Sequence, residues 1–256
     1  MKNKFVKKII ISTGVVGILL AFITLHYAIN PVDNLNRTAI VNIPKGTGFL
    51  HTVAILEKEG LIKNKYLFSM LAILKNAQAH IKAGEYELAT SLSPMDIIDK
   101  LVRGDIISYL VPIPEDFTVN EIAARLASYN LVEENAFLSL SSDATFLASL
   151  GIEGRHAEGY LYPDTYRFDK SMSAKDIMRM MVTRFSKMFT PDMQKRAAEI
   201  GMTIPQVITL ASLIGKESGY KEEKPLISAV FHNRLKKRMK LQCDPTAVYD
   251  LKNFSG

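Results

Sequence analysis

The sequence is poor in the residues that form disulfides and metal sites. Its 256 residues include one cysteine, Cys243, and five histidines, and tryptophan is absent. A lone cysteine cannot form a disulfide within the chain, so a hydrophobic core must hold the fold. The histidines show no spacing typical of metal ligands, such as H-E-x-x-H. We therefore expect neither a metal site nor another cofactor.

Signature loops of several large enzyme classes are also missing. The sequence contains no P-loop and no G-x-S-x-G motif, and the segment Gly46-Thr47-Gly48 lacks the third glycine of a dinucleotide-binding loop. These absences argue against nucleotide-driven enzymes, dinucleotide-dependent oxidoreductases and α/β-hydrolases.

One long apolar run lies near the N-terminus. Lysines at positions 2, 4, 7 and 8 precede a run from Ile9 to Val32 that contains no Lys, Arg, Asp or Glu. Since about 20 apolar residues span a bilayer as a helix, the pattern predicts a transmembrane helix over residues 9–29 and a cytoplasmic tail over residues 1–8. A cleaved signal peptide is the alternative, but no A-x-A site follows the long run.

The net charge of +6 comes mostly from this basic tail. Without its four lysines, the 32 basic residues fall to 28 against 26 acidic residues, a net charge of +2 for the exported part. So small a charge gives little support to nucleic-acid binding, and no nucleic-acid partner is expected.

Helix starts are clearly marked along the chain. Five hydroxyl side chains stand in typical N-capping sequences: Ser93, Thr118, Ser173, Thr190 and Thr203. Each predicts a helix that begins at the next residue. Extended segments over residues 83–88 and 106–113 predict strands between the helices. The expected fold class is therefore α+β.

Two segments resemble each other at an offset of 70 residues. Residues 43–61 and 113–131 share five identities in about twenty positions. Each copy predicts the end of a strand, a turn, and an amphipathic helix that ends near Gly60 or Asn130.

The first copy begins a small α/β module. Helices are expected over residues 66–74 and 94–102, with a strand over residues 84–88 between them. Two interpretations stay open, a spacer that lifts the rest of the chain off the bilayer and a glycan-binding module.

An aromatic segment over residues 156–168 is the first candidate for a binding surface. It holds four aromatic residues and two carboxylates. Aromatic faces beside hydrogen-bonding groups suit a sugar ring. An aromatic hairpin packed in the core explains the same pattern equally well.

Glu217 interrupts an apolar helical stripe. Leu210, Leu213 and Ile214 lie seven, four and three positions before it, on the same helix face. Desolvation at the end of such a stripe would raise the pKa of the carboxyl group, as a general acid requires.

Four motifs, in this order and spacing, resemble those of the MltG-type (YceG-like) endolytic murein transglycosylases. They are EGYLYPDTY at residues 158–166, ASLIGKE at 211–217, FHNRL at 231–235 and LQCDPT at 241–246. The resemblance implies a single-pass protein of the bacterial inner membrane. It also implies a linker over residues 30–42, a LysM-like module over 43–110 and a catalytic domain over 111–256.

The resemblance further implies cleavage of the MurNAc-GlcNAc linkage in nascent peptidoglycan strands. The catalytic glutamate of the family falls on Glu217, which would act as both acid and base. Further residues are expected to bind or orient the substrate: Glu158, Tyr160, Tyr166, Asn233, Gln242, Asp244 and Thr246. Peptidoglycan synthases or divisome proteins are the expected protein partners.

Three departures from the family pattern bear on this interpretation. Gly215 stands where relatives commonly carry an acid, and Cys243 stands where they usually show Ser or Thr. Relatives also continue beyond the last motif, so the catalytic domain is expected to lack its C-terminal part. The alternatives are an inactive, membrane-anchored peptidoglycan-binding scaffold and a lysozyme-like hydrolase. The hydrolase would need a second carboxylate, with Glu158 and Asp244 as candidates.

Overall fold

Small two-stranded sheets flanked by helices organise the chain. A computed structural model describes residue 15 and residues 17–19, 22–152 and 154–243. These residues divide into two units, one ending at Ser108 and adding Asp169–Ser171, the other made of Tyr109–Phe168 and the residues from Met172 onward. The mixed helix and strand content confirms the predicted α+β class.

The first unit contains two strands and four helices among its described residues. In chain order they are α1 (residues 22–29), β1 (Thr38–Ile43), α2 (Phe49–Lys58), α3 (Lys65–Leu74), β2 (Gly84–Ala89) and α4 (Pro94–Arg103). Strands β1 and β2 pair antiparallel, with Val41 opposite Tyr86. Helix α1 packs onto this unit through the buried Ala28, and the Tyr27 hydroxyl donates a hydrogen bond to the Asn64 carbonyl at 3.0 Å.

The second unit contains two strands and seven helices among its described residues. They are β3 (Tyr109–Ile113), α5 (Val119–Ser128), α6 (Glu134–Leu140), α7 (Ala144–Ser149), β4 (Asp164–Phe168), α8 (Ala174–Met188), α9 (Pro191–Glu199), α10 (Ile204–Glu217) and α11 (Lys224–Lys236). Strands β3 and β4 pair antiparallel, with Val111 opposite Tyr166. The main core lies between this sheet and α5 to α8, and a smaller apolar cluster joins α10 to α11.

The sequence repeat corresponds to a structural repeat. Helix α2 runs over residues 49–58 and α5 over residues 119–128, the same positions after the predicted shift of 70. Two residues after the last residue of each helix, the backbone is left-handed, at Gly60 with φ 68° and at Asn130 with φ 54°. The repeat extends further than the sequence analysis recognised, because β2 and α4 match β4 and α8 at a shift of 80.

The predicted helix starts are confirmed at all five positions. Each of the five hydroxyl side chains accepts a hydrogen bond from a backbone N–H in the first turn of its helix, and four of them complete a capping box: Ser93, Thr118, Ser173 and Thr203. These interactions satisfy donors that a helix leaves unpaired at its N-terminus.

The membrane segment predicted over residues 9–29 lies partly outside the described residues, which include only residues 15, 17–19 and 22–29 of it. Among the residues that are described, no single helix combines the length and apolar composition needed to cross a bilayer, and only the bent pair α9 and α10 meets those criteria when taken together. Strand β1 begins at Thr38, so the segment predicted as a linker over 30–42 contains most of a strand. The two units divide between Ser108 and Tyr109, beside the boundary predicted after residue 110.

Candidate active site

Helix α10 carries Glu217 as its last residue. The helix begins at a capping box, in which Gln206 and Thr203 exchange hydrogen bonds, and Pro205 lies in its first turn. It ends where Ser218 becomes extended, with φ −149° and ψ 133°. The Ser218 hydroxyl then donates to the Glu223 carboxylate at 2.5 Å, which orders the turn into α11.

One face of α10 packs against α11 and the chain that follows it. Leu210 is buried with Phe231 and Cys243, and Leu213 and Ile214 pack against the same cluster. The apolar stripe predicted before Glu217 is therefore confirmed as a packing surface. Helix α11 contributes Phe231 to this cluster, whereas its Leu226 is 70% exposed.

Glu217 itself is exposed. The sequence analysis expected a carboxyl buried at the end of the stripe, and that expectation is wrong. The physical reason is its position, since the helix stops at Glu217 and the packed cluster lies in the preceding turns. The side chain is instead accessible to a large molecule from the surface.

A second face of α10 rests on two loops of the second unit at glycine positions. A Cβ atom on Gly159 would lie 2.3 Å from Ile208 Cγ2, and one on Gly215 would lie 1.9 Å from Asp116 Oδ1. Contacts that short do not occur, so a side chain at either position would require the neighbouring side chain to move. Ile208 and Gly215 are seven residues apart, which places them on the same helix face.

Charged contacts hold the loop between β3 and α5 near the end of α10. Glu115 forms an ion pair with Lys224 of α11 at 3.5 Å. Burial tends to raise the pKa of Glu121, but hydrogen bonds from Thr118 and the charge of Lys216 outweigh it and lower that pKa. The last turn of α10 is thus bordered by a loop rich in carboxylates.

Glu158 belongs to the same neighbourhood. Its carboxylate Oε2 accepts a hydrogen bond from the Val119 backbone N–H at 3.1 Å, at the first turn of α5. Gly159, the next residue, contacts α10 as described. Glu158 therefore connects the N-terminal end of α5 with the loop that supports α10, and its predicted role in substrate binding stays a prediction.

Tyr160 and Tyr166 lie in the core. Tyr160 is 8% exposed and packs edge-on against Phe185, with ring centroids 5.3 Å apart. Tyr166 is 5% exposed, and its hydroxyl donates to the Tyr162 carbonyl at 2.6 Å. Burial raises the pKa of the Tyr166 hydroxyl above its usual range, and the charge of Asp164 adds to the rise. These contacts give both tyrosines a packing role, which the sequence analysis had kept as the alternative.

The remaining predicted residues lie on α11 and beyond it. Asn233 and Gln242 are exposed, and Arg234 donates a hydrogen bond to the Leu241 carbonyl, which ties the following segment to the helix. Asp244 and Thr246 lie outside the described residues.

Sequence reasoning missed the part that the β3–α5 loop plays in this site. Glu115 and Asp116 received no role, because their contacts with Lys224 and Gly215 join segments far apart in sequence. A signal was present in the repeat, where Asp116 aligns with Gly46.

A duplicated strand and helix scaffold, with α10 docked on its second copy, defines this chain as a two-unit α+β protein. A model of the YceG-like family matches residues 41–256, and the chain belongs to that family. A crystal structure of a yceG-like protein from Listeria monocytogenes agrees with the fold at a TM-score of 0.53 and 29% identity, covering 86% of this chain and 77% of that one.

Two curated relatives are similar over most of the chain. The endolytic murein transglycosylase of Streptococcus pneumoniae D39 is 30% identical over 246 residues, which cover 86% of this chain and 44% of the relative. The endolytic murein transglycosylase of Bacillus subtilis 168 is 30% identical over 249 residues, which cover 90% of this chain and 68% of the relative. The chain thus spans less than half the length of the pneumococcal relative.

Proposed function

We propose that this chain is an endolytic murein lytic transglycosylase. It would cut peptidoglycan glycan strands internally at the MurNAc-GlcNAc linkage and leave 1,6-anhydroMurNAc ends. The names of the curated relatives support the reaction, and family membership supports the assignment of the motif that contains Glu217.

The observation that carries the proposal is the setting of Glu217. Its carboxyl group is exposed at the end of a helix, while the helix is packed on one face against α11 and on another against two loops. A polymer cut within its length must reach the acid from an open surface, and a fixed helix end holds that acid in one position.

One carboxyl group is sufficient for the proposed reaction. Protonated Glu217 gives its proton to the glycosidic oxygen as the bond to C1 of MurNAc breaks. The resulting carboxylate removes the proton of the C6 hydroxyl, whose oxygen bonds to C1 and closes the anhydro ring. Glu217 ends protonated as it began, and no water is consumed. A hydrolase would instead add water with the help of a second carboxylate.

We also propose that the first unit is a LysM-like module that binds glycan. Two strands and two helices in the order strand, helix, helix, strand support this proposal. So does an exposed aromatic surface, since Tyr66 is 76% exposed and has the Lys65 ammonium 5.5 Å from its ring centroid. Such a ring can stack on the apolar face of a sugar.

Membrane anchoring completes the proposal. The basic tail over residues 1–8 and the apolar run over 9–29 support a single-pass anchor in the cytoplasmic membrane with the catalytic unit outside it. Peptidoglycan synthases or divisome proteins are the proposed neighbours there. Protease treatment of spheroplasts tests the orientation, because a C-terminal tag should be digested while an N-terminal tag survives.

Product analysis tests the reaction. The detergent-solubilised full chain is incubated with glycan strands, and the fragments are weighed by mass spectrometry. We expect fragments one water lighter than hydrolytic products. Fragments that contain the added water would favour a hydrolase, and intact strands that co-sediment with the protein would favour a binding scaffold.

Substitution of Glu217 gives the decisive variant. Positioned acid/base catalysis contributes about 100- to 10,000-fold, so Glu217→Gln should reduce the rate of anhydro-product formation by that factor while strand binding persists. Glu222→Gln is the matched control, because Glu222 is an exposed glutamate of the adjoining turn, and it should keep nearly full activity. Equal rates for wild type and Glu217→Gln would remove Glu217 from the mechanism.

A further inference from the structure

Helix α11 ends in an exposed basic cluster, which we name the basic tip. Its four members occupy four of the five positions 236–240, and all of them are exposed: Lys236, Lys237, Arg238 and Lys240. Residues 224–243 contain no aspartate or glutamate, so the segment holds no acid that could neutralise them. The helix dipole accounts for cations only in the last turn, and most of the basic tip lies after the helix has ended at Lys236.

The basic tip has no acidic partner in the described part of the chain. Elsewhere in the second unit, basic side chains pair with carboxylates, as Arg184 does with Asp164 at 2.7 Å and Lys224 with Glu115 at 3.5 Å. Across residues 22–152 and 154–243, none of the four side chains of the basic tip forms an ion pair or a hydrogen bond. Their charges are therefore available to an external anion.

The backbone holds the basic tip in one geometry. Arg238 is left-handed, with φ 54°, and the Met239 N–H donates to the Arg234 carbonyl at 2.9 Å. This hydrogen bond around a left-handed residue is the Schellman motif that ends many helices. The Arg234 side chain also donates to the Leu241 carbonyl beyond the turn. The four cations are thus presented at the end of a packed helix.

Apolar side chains of the same segment are exposed as well. Met239 is 52% exposed and Leu235 is 45% exposed. The residue at the position of Met239 in a Schellman motif frequently packs back onto its helix, which Met239 does only in part. Cations together with exposed apolar side chains suit a bilayer surface, where charges meet lipid phosphates and apolar groups enter the boundary with the acyl chains. A carboxylated sugar polymer would use the charges but not Met239.

The charge of the second unit is divided in the same sense. Residues 109–168 contain three basic and nine acidic residues, a net charge of −6, whereas residues 172–243 contain 14 basic and six acidic residues, a net charge of +8. A protein with its charges divided in this way approaches an anionic surface with its basic part. The basic tip belongs to that part.

We propose that the basic tip docks on the surface of a bilayer that contains anionic phospholipids. Its ammonium and guanidinium groups contact the lipid phosphates, and Met239 enters the interface. This contact is separate from the proposed anchor over residues 9–29 and goes beyond the proposed transglycosylase function. Along α11, the basic tip lies about 18 Å from Lys224, which follows the turn after Glu217. Docking at the tip therefore leaves Glu217 open to a glycan strand.

The test measures how accessible position 239 is. The full chain is incorporated into nanodiscs of phosphatidylcholine alone, or of phosphatidylcholine and phosphatidylglycerol in equal parts. Met239→Cys is labelled with an uncharged maleimide polymer, and wild type gives the background rate because its single cysteine, Cys243, is buried. Labelling should be about 10-fold slower in the anionic nanodiscs, since each basic residue at an anionic surface adds to binding. High salt should remove the difference.

Two variants separate docking from unspecific effects of the lipid. Met193→Cys is the matched control, because Met193 of α9 is 53% exposed, and it should be labelled equally fast in both kinds of nanodisc. The second variant carries Met239→Cys and changes all four basic residues to glutamine: K236Q, K237Q, R238Q and K240Q. It should keep its unfolding temperature and lose the difference between the lipids. Slow labelling that persists in it would overturn the role of the basic tip.

The remaining outcomes keep the proposals distinct. Equal labelling of Met239→Cys in both nanodiscs overturns the docking and leaves the transglycosylase function intact. Labelling that is slowed by glycan strands with stem-peptide carboxylates, and not by anionic lipid, assigns the basic tip to the polymer and also overturns the docking. A chain that does not insert into nanodiscs overturns the anchor alone, and vesicles of the same two compositions then measure the docking from solution.

Discussion

The two copies of the internal repeat have the same framework and different loops. In the first copy, the loop from Pro44 to Gly48 contains Lys45 and two glycines, whereas the matching loop from Pro114 to Thr118 contains Glu115 and Asp116. The strands and helices on either side correspond closely. In the second copy, α10 rests against this loop through Gly215. The two copies therefore share their strands and helices. They differ in the loop that follows the first strand and in the presence of α10, and these two differences make the second copy the candidate catalytic site.

The comparison extends to single side chains in the sheets. Tyr86 in the first copy and Tyr166 in the second each donate a hydrogen bond to the carbonyl four residues earlier, at 2.7 and 2.6 Å. Each lies opposite a valine of the paired strand, Val41 or Val111. A shared internal contact of this kind marks a structural requirement of the repeat, since it occurs in both copies and only the second copy belongs to the unit that contains Glu217.

Loss of buried volume should have the largest effect on both copies. Leu88 and Phe168 occupy matching strand positions and are fully buried. Leu88→Ala and Phe168→Ala should each lower the free energy of unfolding by about 3 to 4 kcal/mol, because core truncations of this size leave a cavity. Chemical denaturation of each variant measures the loss. A cost below about 1 kcal/mol in one copy would show that its strand is not part of the core.

Removal of the paired tyrosine hydroxyls should have a smaller and equal effect. Tyr86→Phe and Tyr166→Phe should each cost about 1 kcal/mol, the usual net contribution of an internal hydrogen bond. Tyr166→Phe should leave kcat unchanged, since its hydroxyl is bound to Tyr162 within the core. A large loss of kcat without loss of stability would instead support the predicted contact between Tyr166 and substrate.

Tyr86 also predicts a dependence of stability on alkaline pH. Burial raises the pKa of Tyr86 to about 12, with smaller contributions from the charges of Asp105 and Asp169. Because the folded pKa lies above the unfolded value of about 10, this group contributes stability below pH 10 that is lost as the pH rises toward 12. Unfolding midpoints of wild type and Tyr86→Phe should converge over that interval. A difference between the two midpoints that stays constant over this pH interval would contradict the raised pKa of Tyr86.

One substitution in the loop of the first copy tests how the backbone of this turn differs between the two copies. Gly46→Asp places in the first copy the residue that the second copy has at the same turn, where φ is 82°. No neighbour lies within 4 Å of a Cβ at Gly46, so the expected cost is backbone strain alone, about 1 kcal/mol. Activity should be unchanged. Thermal unfolding measures the cost, and a stabilised variant would show that this turn does not disfavour aspartate.

The smallest effect concerns acid pH in the first unit. The Thr90 hydroxyl donates to Asp33 at 2.6 Å, and with Arg37 and the Leu35 backbone it lowers the pKa of Asp33 to about 2. The folded pKa therefore lies below the unfolded value of about 4. Its contribution is complete above pH 4 and is lost as the pH falls toward 2. Asp33→Asn should reduce stability at pH 6 and should matter little near pH 2, as urea titrations at the two pH values would show.

Local signals made much of the fold predictable. Capping boxes at Ser93, Thr118, Ser173 and Thr203 depend on residues three positions apart, and all four begin helices. The repeat was visible because identical apolar positions return at a fixed shift. The matching strand and helix at the shift of 80 went unrecognised, because an insertion between the strands changed the spacing and few identities remain.

The candidate site was predictable only in part. Glu217 stood out because a charge interrupts an apolar period, and the packing of Leu210, Leu213 and Ile214 agrees with that period. The exposure of Glu217 could not be predicted from this spacing. Helical periodicity shows which residues share a face of the helix, but it does not show where along that face the packing ends. From the sequence, Tyr166 was as well suited to packing in the core as to binding substrate. In the structure it is buried, and its hydroxyl donates a hydrogen bond to the Tyr162 carbonyl.

The sequence by itself determined the helix starts, the α+β class, the repeat and the unusual position of Glu217, because each depends on residues that are close in the chain or on a regular period. Only the tertiary structure decided that Asp116 meets Gly215, that Gly159 meets Ile208, and that Glu115 pairs with Lys224. These contacts join segments separated by about 50 to 110 positions. They exist only once α10 has docked on the second copy of the repeat.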